Sequence, residues 1–314
     1  MFQFFLSKIK PAHQLGLLAL LAALVWLSVF SLPDNKLKIV FCDVGQGDAI
    51  LIQKGFNQIL IDGGPNNKVL NCLANNMPFF DRTLEIVALT HPQADHLTGL
   101  NFVIERYNLK YFLGGPEGNS SASYATLMSK IKLLVSNKKT KIINPYAGQK
   151  IKIAGIELQT LWPDKDWVTE SINNKQLTIN NFYHFGGAVL GASTTKDLND
   201  FSLVFLLKYG DFFGLFTGDA DAGIQDQILL NNQNLGPISI LKVPHHGAKN
   251  ALRDDFLEII KPQEAIISVG KNSYGHPSEE LLRRLEEKRI KIRRTDLEGE
   301  IKIFSDGKNW YNAN

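Results

Sequence analysis

The chain has 314 residues, of which 44% are apolar and 21% are charged. This composition excludes an intrinsically disordered chain and fits one sizeable globular domain or two small ones. The net charge of +3 gives no charge-based reason to expect a nucleic-acid partner. Two cysteines are too few for a disulfide framework, and their spacing matches no zinc motif. We interpret Cys42 as a buried thiol, and a Cys42–Cys72 bridge stays open if the domain lies outside the reducing cytosol.

The N-terminal part predicts a membrane anchor. After a tail over 1–14, residues 15–32 carry no charge and are overwhelmingly apolar. A run of about 18 such residues can just span a bilayer as a helix. Because the run is long for a signal peptide and no Ala-x-Ala site follows, we favour an uncleaved single-pass anchor over a cleavable signal. The lysines on either side weakly favour a cytoplasmic N-terminus, which places the following domain outside the cytoplasm.

Residues 37–314 read as one domain in which strands and helices alternate. Apolar runs and turn residues predict strands at 37–42, 49–52, 58–61, 86–89, 110–113, 201–207, 212–216, 238–243 and 265–269. Helical spacing is present at 69–74, 101–107, 120–134 and 278–288. Residues 164–198 show weak periodicity and predict a long loop or insertion. These elements indicate an α/β fold.

The strongest chemical signal is the stretch Thr90–His96, which directly follows the predicted strand 86–89. It places His91, Asp95 and His96 at a strand end, where open α/β sheets bind their ligands. Imidazole and carboxylate together suit Zn, Mn or Fe. A lone His-x-x-x-Asp more often lies on the surface without binding a metal, so the other strand ends are needed to choose between these interpretations.

Three more strand ends carry potential ligands, namely Asp219, the pair His245–His246, and His276. One Gly-Asp turn is common, but four His- or Asp-bearing turns after apolar runs are an unusual coincidence. Such ligands around a metal lower the pKa of bound water and polarise a phosphoryl or carbonyl oxygen. The pattern therefore predicts a metal-dependent hydrolase.

The sequence resembles the metallo-β-lactamase superfamily, and within it the C-terminal domain of the ComEC/Rec2 competence proteins, which handle DNA taken up across a membrane. The resemblance covers about residues 37–305 and is carried by DVGQGDA at 43–49, DGG at 62–64, THPQADH at 90–96, NDFS at 199–202, FTGD at 216–219, KVPHHG at 242–247 and SVG to GHP at 268–277. It implies an αββα sandwich with the metal site at one edge of the sheets. The many-helix channel of full competence proteins finds no counterpart, so a separate translocation channel is an implied partner.

The resemblance also implies roles for individual residues. His91 would belong to a first metal site, and Asp95, His96, Asp219 and His245 would form the second. Asp95 would orient the attacking water, and His276 would hold a phosphate or protonate a leaving group. The implied substrate-binding residues are Lys242, which would meet a phosphate oxygen, together with His246, Asn199 and Ser202.

One departure concerns Gln93, which stands where the family has a His or Asp. An amide oxygen is a poor, neutral ligand for a transition metal. We therefore expect one tightly bound divalent ion, Zn or Mn, and a second that is loose or absent. The alternative is a decayed member without catalysis.

The leading functional interpretation is a membrane-anchored DNA phosphodiesterase related to competence, with single-stranded DNA as its partner. A hydrolase of another ester or amide, and a non-catalytic nucleic-acid binder, are the alternatives. The basic residues between 283 and 294 could contact phosphates, but the acidic residues among them favour a solvated helix face.

Overall fold

A computed structural model of the chain describes residues 11–30, 34–172, 183–185, 188–232 and 235–313. The first element is helix α1 (Pro11–Phe30), whose apolar side chains are largely exposed where they are described. In these ranges, no helix is both long and apolar enough to cross a membrane. The anchor predicted over 15–32 is therefore not confirmed, and its last two residues lie outside the described ranges.

The first sheet has eight strands in the order β17-β16-β1-β2-β3-β4-β5-β6. Strands β3 to β6 run parallel and the remaining neighbours are antiparallel. The strands are β1 (Leu37–Phe41), β2 (Ile50–Lys54), β3 (Asn57–Ile61), β4 (Thr83–Leu89), β5 (Asn108–Gly114), β6 (Lys141–Ile143), β16 (Ile301–Ser305) and β17 (Trp310–Asn312).

The second sheet has seven strands in the order β15-β14-β13-β12-β11-β8-β7. Its strands β12 to β15 are parallel. The strands are β7 (Lys150–Ile153), β8 (Ile156–Trp162), β11 (Val204–Tyr209), β12 (Phe212–Phe216), β13 (Ile240–Lys242), β14 (Glu264–Ile267) and β15 (Lys291–Arg294). A separate hairpin joins β9 (Tyr183–Phe185) and β10 (Ala188–Leu190).

Helices cover the outer faces of both sheets. They are α2 (Lys68–Asn76), α3 (Ala94–Leu97), α4 (Leu100–Arg106), α5 (Ala122–Ser136), α6 (Lys165–Ser171), α7 (Ala222–Asn231), α8 (Asp254–Ile260), α9 (Glu279–Glu287) and α10 (Thr295–Glu298). Ser278 caps α9 by accepting a hydrogen bond from the amide of Leu281, as its position before the acidic first turn predicts.

Three apolar cores separate the layers, because alternate side chains of a strand point to opposite faces of its sheet. In β1, Ile39 packs between the two sheets with Phe205 and Phe216 of the second sheet. The next residue, Val40, faces the opposite way into the core under α2, α4 and α5. A third core lies between the second sheet and α7, α8 and α9. The predicted αββα sandwich is thereby confirmed.

Two local predictions are corrected. Cys42 and Cys72 form a disulfide between the end of β1 and α2, with Cα atoms 5.8 Å apart, so Cys42 is not a free thiol. Residues 164–198 are not a continuous loop, since they contain α6 and the β9–β10 hairpin. Asp164 caps α6 by accepting hydrogen bonds from the amides of Asp166 and Trp167. The helix is too short for its period to show in the sequence.

Candidate metal centre

The chemically active side chains meet where the carboxyl ends of the parallel strands of both sheets converge. From the first sheet, Asp62 follows β3, and His91 follows β4. From the second sheet, Asp219 follows β12, and the turn Pro244–Gly247 follows β13. Open α/β sheets bind ligands at this edge because the chain leaves each strand there in loops that carry side chains to one place.

Four of these side chains form what we call the second-site group, namely Asp95, His96, Asp219 and His246. Asp95, His96 and His246 have ligand atoms within 4.8 Å of one another, and Asp219 forms similar triplets, one with His96 and His91 and one with His246 and Asp48. His96 Nε2 is 3.4 Å from Asp219 Oδ2, and His246 Nε2 is 3.2 Å from Asp95 Oδ2. His246 Nε2 also lies 3.5 Å from Asp219 Oδ2. Two imidazoles and two carboxylates thus face one another across a small space.

The outer nitrogen of each imidazole is fixed by a partner behind the group. His96 Nδ1 is 2.8 Å from Asp62 Oδ2, and His246 Nδ1 is 2.9 Å from the carbonyl oxygen of Ser268. Since a carbonyl oxygen only accepts, His246 carries its proton on Nδ1 and turns Nε2 inward. Asp62 acts in the same way on His96. Such partners orient metal-binding histidines and raise their basicity.

A buried lysine lies beneath the second-site group. Lys242 is fully buried, pairs with Asp48, donates to the carbonyl oxygen of Gly218 at 2.7 Å, and has its Nζ 3.4 Å from Asp219 Oδ1. A buried charge is tolerated when it is paired and hydrogen-bonded in this way. Lys242 is therefore committed to protein carboxylates and does not line the cleft, in contrast to its predicted contact with a phosphate oxygen.

The first-site residues have a different arrangement. His91 is buried, with Nδ1 3.1 Å from the Thr90 hydroxyl and 3.3 Å from the Ser202 hydroxyl. Its Nε2 finds no hydrogen-bond partner among the described residues. Beside it, the side-chain amide of Gln93 donates to Asn199 Oδ1 at 2.7 Å. We call Gln93 and Asn199 the amide pair.

The predicted ligand His245 does not join any of the triplets, whereas His246 does. Both residues have left-handed backbone conformations, with φ of 48° and 51°. These values are uncommon outside glycine and mark a locally strained turn. The turn directs His246 towards Asp95, and it places the ring of His245 5.6 Å from the ring of His276.

The group opens onto a cleft of about 780 Å³. Asp95 and His246 contribute to its wall, together with His245 and His276. Other lining residues are Gln46, Pro65, Gln93, Ala94, Lys271, Asn272, Ser273 and Tyr274. A substrate in this cleft would therefore reach both the second-site group and His276.

The residues present fit a divalent ion. The donors are imidazole nitrogens and carboxylate oxygens, the mixed set that Zn and Mn accept. The buried Nε2 atoms of His91 and His96 have no hydrogen-bond partner among the described residues, although His96 Nε2 faces Asp219. Burying such a nitrogen without a partner is costly, and an ion would satisfy it.

Comparison with known proteins agrees with this geometry. The family model described as Metallo-beta-lactamase superfamily matches residues 42–271. The chain belongs to the metallo-β-lactamase superfamily. Buried His and Asp clusters of the kind that bind metal are therefore found here in a hydrolase-like domain of that superfamily.

Relatives within the metallo-β-lactamase superfamily include competence proteins. The chain is 23% identical over 302 residues to "ComE operon protein 3" of Bacillus subtilis, covering 88% of this chain and 34% of that protein. It is 26% identical over 266 residues to "Recombination protein 2" of Haemophilus influenzae, covering 83% of this chain and 28% of that protein. The chain thus spans about a third of the length of these distant homologues.

Solved structures agree on the fold. The metallo-beta-lactamase fold protein YhfI from Bacillus subtilis has a TM-score of 0.51 at 13% identity, covering 86% of this chain and 100% of that one. Igni18, described as a metallo hydrolase from Ignicoccus hospitalis, has a TM-score of 0.51 at 14% identity, covering 84% of this chain and 98% of that one. At such identities, the likeness carries the architecture alone.

Neighbouring cations keep Asp219 of this metallo-β-lactamase site ionised despite its burial. Burial alone would raise the pKa of Asp219, but the charges of His246, His96 and Lys242 hold it well below its usual range. Burial, together with the neighbouring charge of His96, lowers the pKa of His91 to about 3, so His91 is neutral and can act as a ligand.

Two functional residues were missed by the sequence prediction. Asp48 and Asp62 both belong to the buried triplets. Asp62 directly follows β3 and precedes Gly63-Gly64, which is the same strand-end signal that identified Asp219. Asp48 ends the glycine-containing turn before β2. Applying the strand-end criterion to every aspartate would have found Asp62, but not Asp48, which lies in a turn ahead of a strand.

Most of the basic residues between 283 and 294 are paired with acids. Arg284 lies 3.1 Å from Asp254, Lys288 lies 3.1 Å from Glu258, and Lys291 lies 2.6 Å from Glu264. Arg293 and Arg294 pair with Glu298 and Asp296. These pairs agree with the interpretation as a solvated helix face, which stays a prediction.

Proposed function

We propose that this chain is a metal-dependent phosphodiesterase that acts on DNA in the context of DNA uptake. One observation carries the proposal, namely that the second-site group lies buried at the wall of an open cleft. The names of its relatives, among them "Competence protein ComA" of Neisseria gonorrhoeae, support DNA as the substrate.

Asp95, His96, Asp219 and His246 would hold one divalent ion, Zn or Mn. A bound ion of this kind supplies a hydroxide at neutral pH and stabilises charge that develops on a phosphoryl oxygen. Asp62 and Ser268 keep the inward imidazole nitrogens free for it. In this arrangement, His246 takes the role of metal ligand that the family resemblance implied for His245.

Two cleft residues would act on the substrate itself. The Asp95 side chain is 30% exposed, so its carboxylate can orient a water molecule in the cleft. His276 also lines the cleft, and its ring is only partly buried. The exposed part of that ring is placed to bind a phosphate oxygen or to donate a proton to the departing oxygen.

The test is cleavage of labelled single-stranded DNA with added Mn²⁺, comparing the natural chain with Asp219→Ala. We expect cleavage by the natural chain and a loss of at least about 100-fold in the variant, because removing a metal ligand removes the charge stabilisation. DNA cleavage that persists unchanged in Asp219→Ala would refute the assignment.

A second candidate is a nucleic-acid binder without catalysis. The amide pair favours it, because two neutral amides bond to each other where the superfamily has ligands. Binding of the same DNA without any cleavage would support this candidate. Hydrolysis of other esters or amides, with neither DNA binding nor DNA cleavage, would indicate a different substrate.

We further propose that the domain works outside the cytoplasm. The Cys42–Cys72 disulfide supports this location, because disulfides persist in oxidising compartments and are rare in the cytosol. Alkylation of the protein in intact cells, followed by mass spectrometry, should find both cysteines protected. Free, labelled thiols at both positions would contradict the location.

A further inference from the structure

The cleft contains an aromatic side chain that the metal chemistry does not use. Tyr274 lines the same cleft as Asp95 and His246, yet 75% of its surface is exposed. A single exposed aromatic ring is common on protein surfaces, but at the wall of a cleft that holds candidate metal ligands it offers a flat face to a ligand. Its place in the cleft is the reason to consider it as a ligand contact.

The ring is held by a well-bonded loop. Asn272 Oδ1 accepts hydrogen bonds from the backbone amides of Tyr274 at 3.0 Å and His276 at 3.1 Å. The side-chain amide of Asn272 donates to the carbonyl oxygens of Gly270 at 2.9 Å and His276 at 2.7 Å. One side chain thus ties both ends of the loop together, so that the position of Tyr274 is set before any ligand arrives.

The loop is also anchored to the opposite wall of the cleft. The amide of Gly270 donates to Gln46 Oε1 at 3.3 Å, and a Cβ built on Gly270 would lie only 2.6 Å from the backbone nitrogen of Gln46. Glycine is therefore required for this close approach. The anchoring fixes the Tyr274 loop relative to the turn that carries Asp48.

Ring contacts connect Tyr274 with the metal ligands. Tyr274 and His276 have ring centroids 5.8 Å apart, with planes inclined by 33°. The other two contacts are edge-to-face: the His276 and His245 rings are 5.6 Å apart at 80°, and the His245 and His246 rings are 6.5 Å apart at 78°. A flat group resting on Tyr274 would therefore lie on the same wall of the cleft as these histidines.

Charge in the cleft suits a phosphate next to that flat group. Lys271 is exposed on the same loop and lines the cleft, and the partly buried ring of His276 lies beside Tyr274 in the cleft wall. A flat, stackable group joined to a phosphate is a nucleotide. In a duplex the faces of the bases are covered by their neighbours, so the ring can stack only on an unpaired base.

We infer that Tyr274 is a base-stacking subsite that binds one unpaired nucleobase of a single-stranded nucleic acid and places the adjoining phosphate over the second-site group. This inference rests on the proposed function and names its substrate class. Stacking of this kind tolerates any base, because every base presents a flat π-face. Tyr274 is accordingly a positioning residue that binds substrate without taking part in proton transfer.

The test measures binding of a labelled single-stranded oligonucleotide by fluorescence anisotropy in EDTA, so that cleavage does not interfere. We expect Tyr274→Ala to weaken binding roughly 5- to 150-fold, the range that stacking of one base is worth. Tyr274→Phe should stay within about twofold of the natural chain, since it keeps the ring. Phe79→Ala, which removes an exposed aromatic side chain from a different cleft, is the matched control and should change nothing.

A second ligand separates stacking from general affinity. An oligonucleotide of the same length that lacks its bases keeps every phosphate, and it should bind the natural chain and Tyr274→Ala equally weakly. Equal binding of the normal oligonucleotide by the natural chain and Tyr274→Ala would overturn the inference. So would a Tyr274→Phe variant as weak as the alanine variant, because the hydroxyl would then be the contact.

Hydrolysis of methyl p-nitrophenyl phosphate, a diester without a nucleobase, distinguishes failure of this inference from failure of the proposed function. If Mn²⁺-dependent hydrolysis occurs and DNA binding ignores Tyr274, the phosphodiesterase assignment stands and the subsite is refuted. If Tyr274 governs DNA binding but neither diester is cleaved, the subsite stands and the catalytic proposal fails. A natural chain that does not bind the oligonucleotide at all refutes the subsite.

Discussion

The first-site and second-site residues lie side by side, share Asp219 and His96 as neighbours, and yet differ in chemistry. Around the second site, two imidazoles and two carboxylates turn their ligand atoms inward. At the first, His91 forms a triplet with His96 and Asp219, while Gln93 and Asn199 are bonded to each other at 2.7 Å. Two amides that already share a hydrogen bond have little to offer a transition metal.

We infer from this contrast that the fold can keep the frame of the first site while its ion is bound loosely or not at all. The supports of the first site remain, since Thr90 and Ser202 still hold His91 Nδ1. The second site retains its complete supporting layer in Asp62, Ser268 and Lys242. We therefore attribute tight metal binding to the second site alone, and the following predictions test that asymmetry.

The largest difference is expected between alanine substitutions of two neighbouring histidines. His246→Ala removes an inward imidazole of the second-site group and should lower metal affinity and DNA cleavage at least about 100-fold. His245→Ala removes the adjacent ring, which belongs to none of the triplets, and should leave metal content unchanged. Metal analysis and the cleavage assay on both variants measure this. Loss of the metal in His245→Ala but not in His246→Ala would reverse our assignment.

A smaller effect is expected one layer further out. Asp62→Asn keeps the size of the side chain but weakens the acceptor for His96 Nδ1, and such changes typically cost about 10- to 100-fold in metal affinity. Isothermal titration with Zn²⁺ gives the value. Glu264→Gln alters a buried carboxyl that contacts Lys291 and Asn312, and serves as the control with unchanged affinity. Equal affinities for Asp62→Asn and the natural chain would mean that His96 needs no orienting partner.

The first site offers a gain of function. Gln93→His combined with Asn199→His replaces the amide pair with two imidazoles next to His91, and should raise metal content from one towards two ions per chain. Gln93→Asp alone should give a partial rise. Mass spectrometry under native conditions counts the ions directly. If the double variant still holds one ion, then features other than Gln93 and Asn199 prevent the first site from binding a metal.

The smallest effect concerns a buried acid outside the centre. Burial raises the pKa of Glu117 to about 8, because no cationic neighbour opposes it as His96, His246 and Lys242 do for Asp219. A raised carboxyl pKa favours the protonated folded state, so this contribution to stability is complete below about pH 4.5 and is lost as the pH rises through about 8.

Glu117→Gln should remove that dependence. Between pH 6 and pH 9, urea unfolding should show the natural chain losing roughly 2 kcal/mol more stability than the variant. Identical pH profiles for the two proteins would show that Glu117 is ionised in the folded protein. The contrast in pKa that we draw between Glu117 and Asp219, which has cationic neighbours, would then fail.

Much of the site could be predicted from the sequence because strand ends are readable. The apolar run before Thr90 and the one before Thr217 predicted where β4 and β12 end, and so where His91, Asp95, His96 and Asp219 would gather. Parallel strands bring such ends to one edge of a sheet. The same rule pointed to His245 and His276, which line the cleft but join none of the triplets.

The remainder depended on geometry that the sequence does not state. Which histidine of Pro244–Gly247 turns inward is decided by two left-handed backbone conformations, and a shift of one residue reverses the answer. The inward position of Lys242 depends on its pairing with Asp48, which is far away in the sequence. The contact between Gln93 and Asn199 is likewise made only by the tertiary fold.

The most direct test of the account is the number of tightly bound metal ions in the purified natural chain and in His246→Ala, measured by elemental analysis after exhaustive dialysis. The account predicts one ion per natural chain and none in the variant. Two tightly held ions in the natural chain, or one ion retained by His246→Ala, would contradict it.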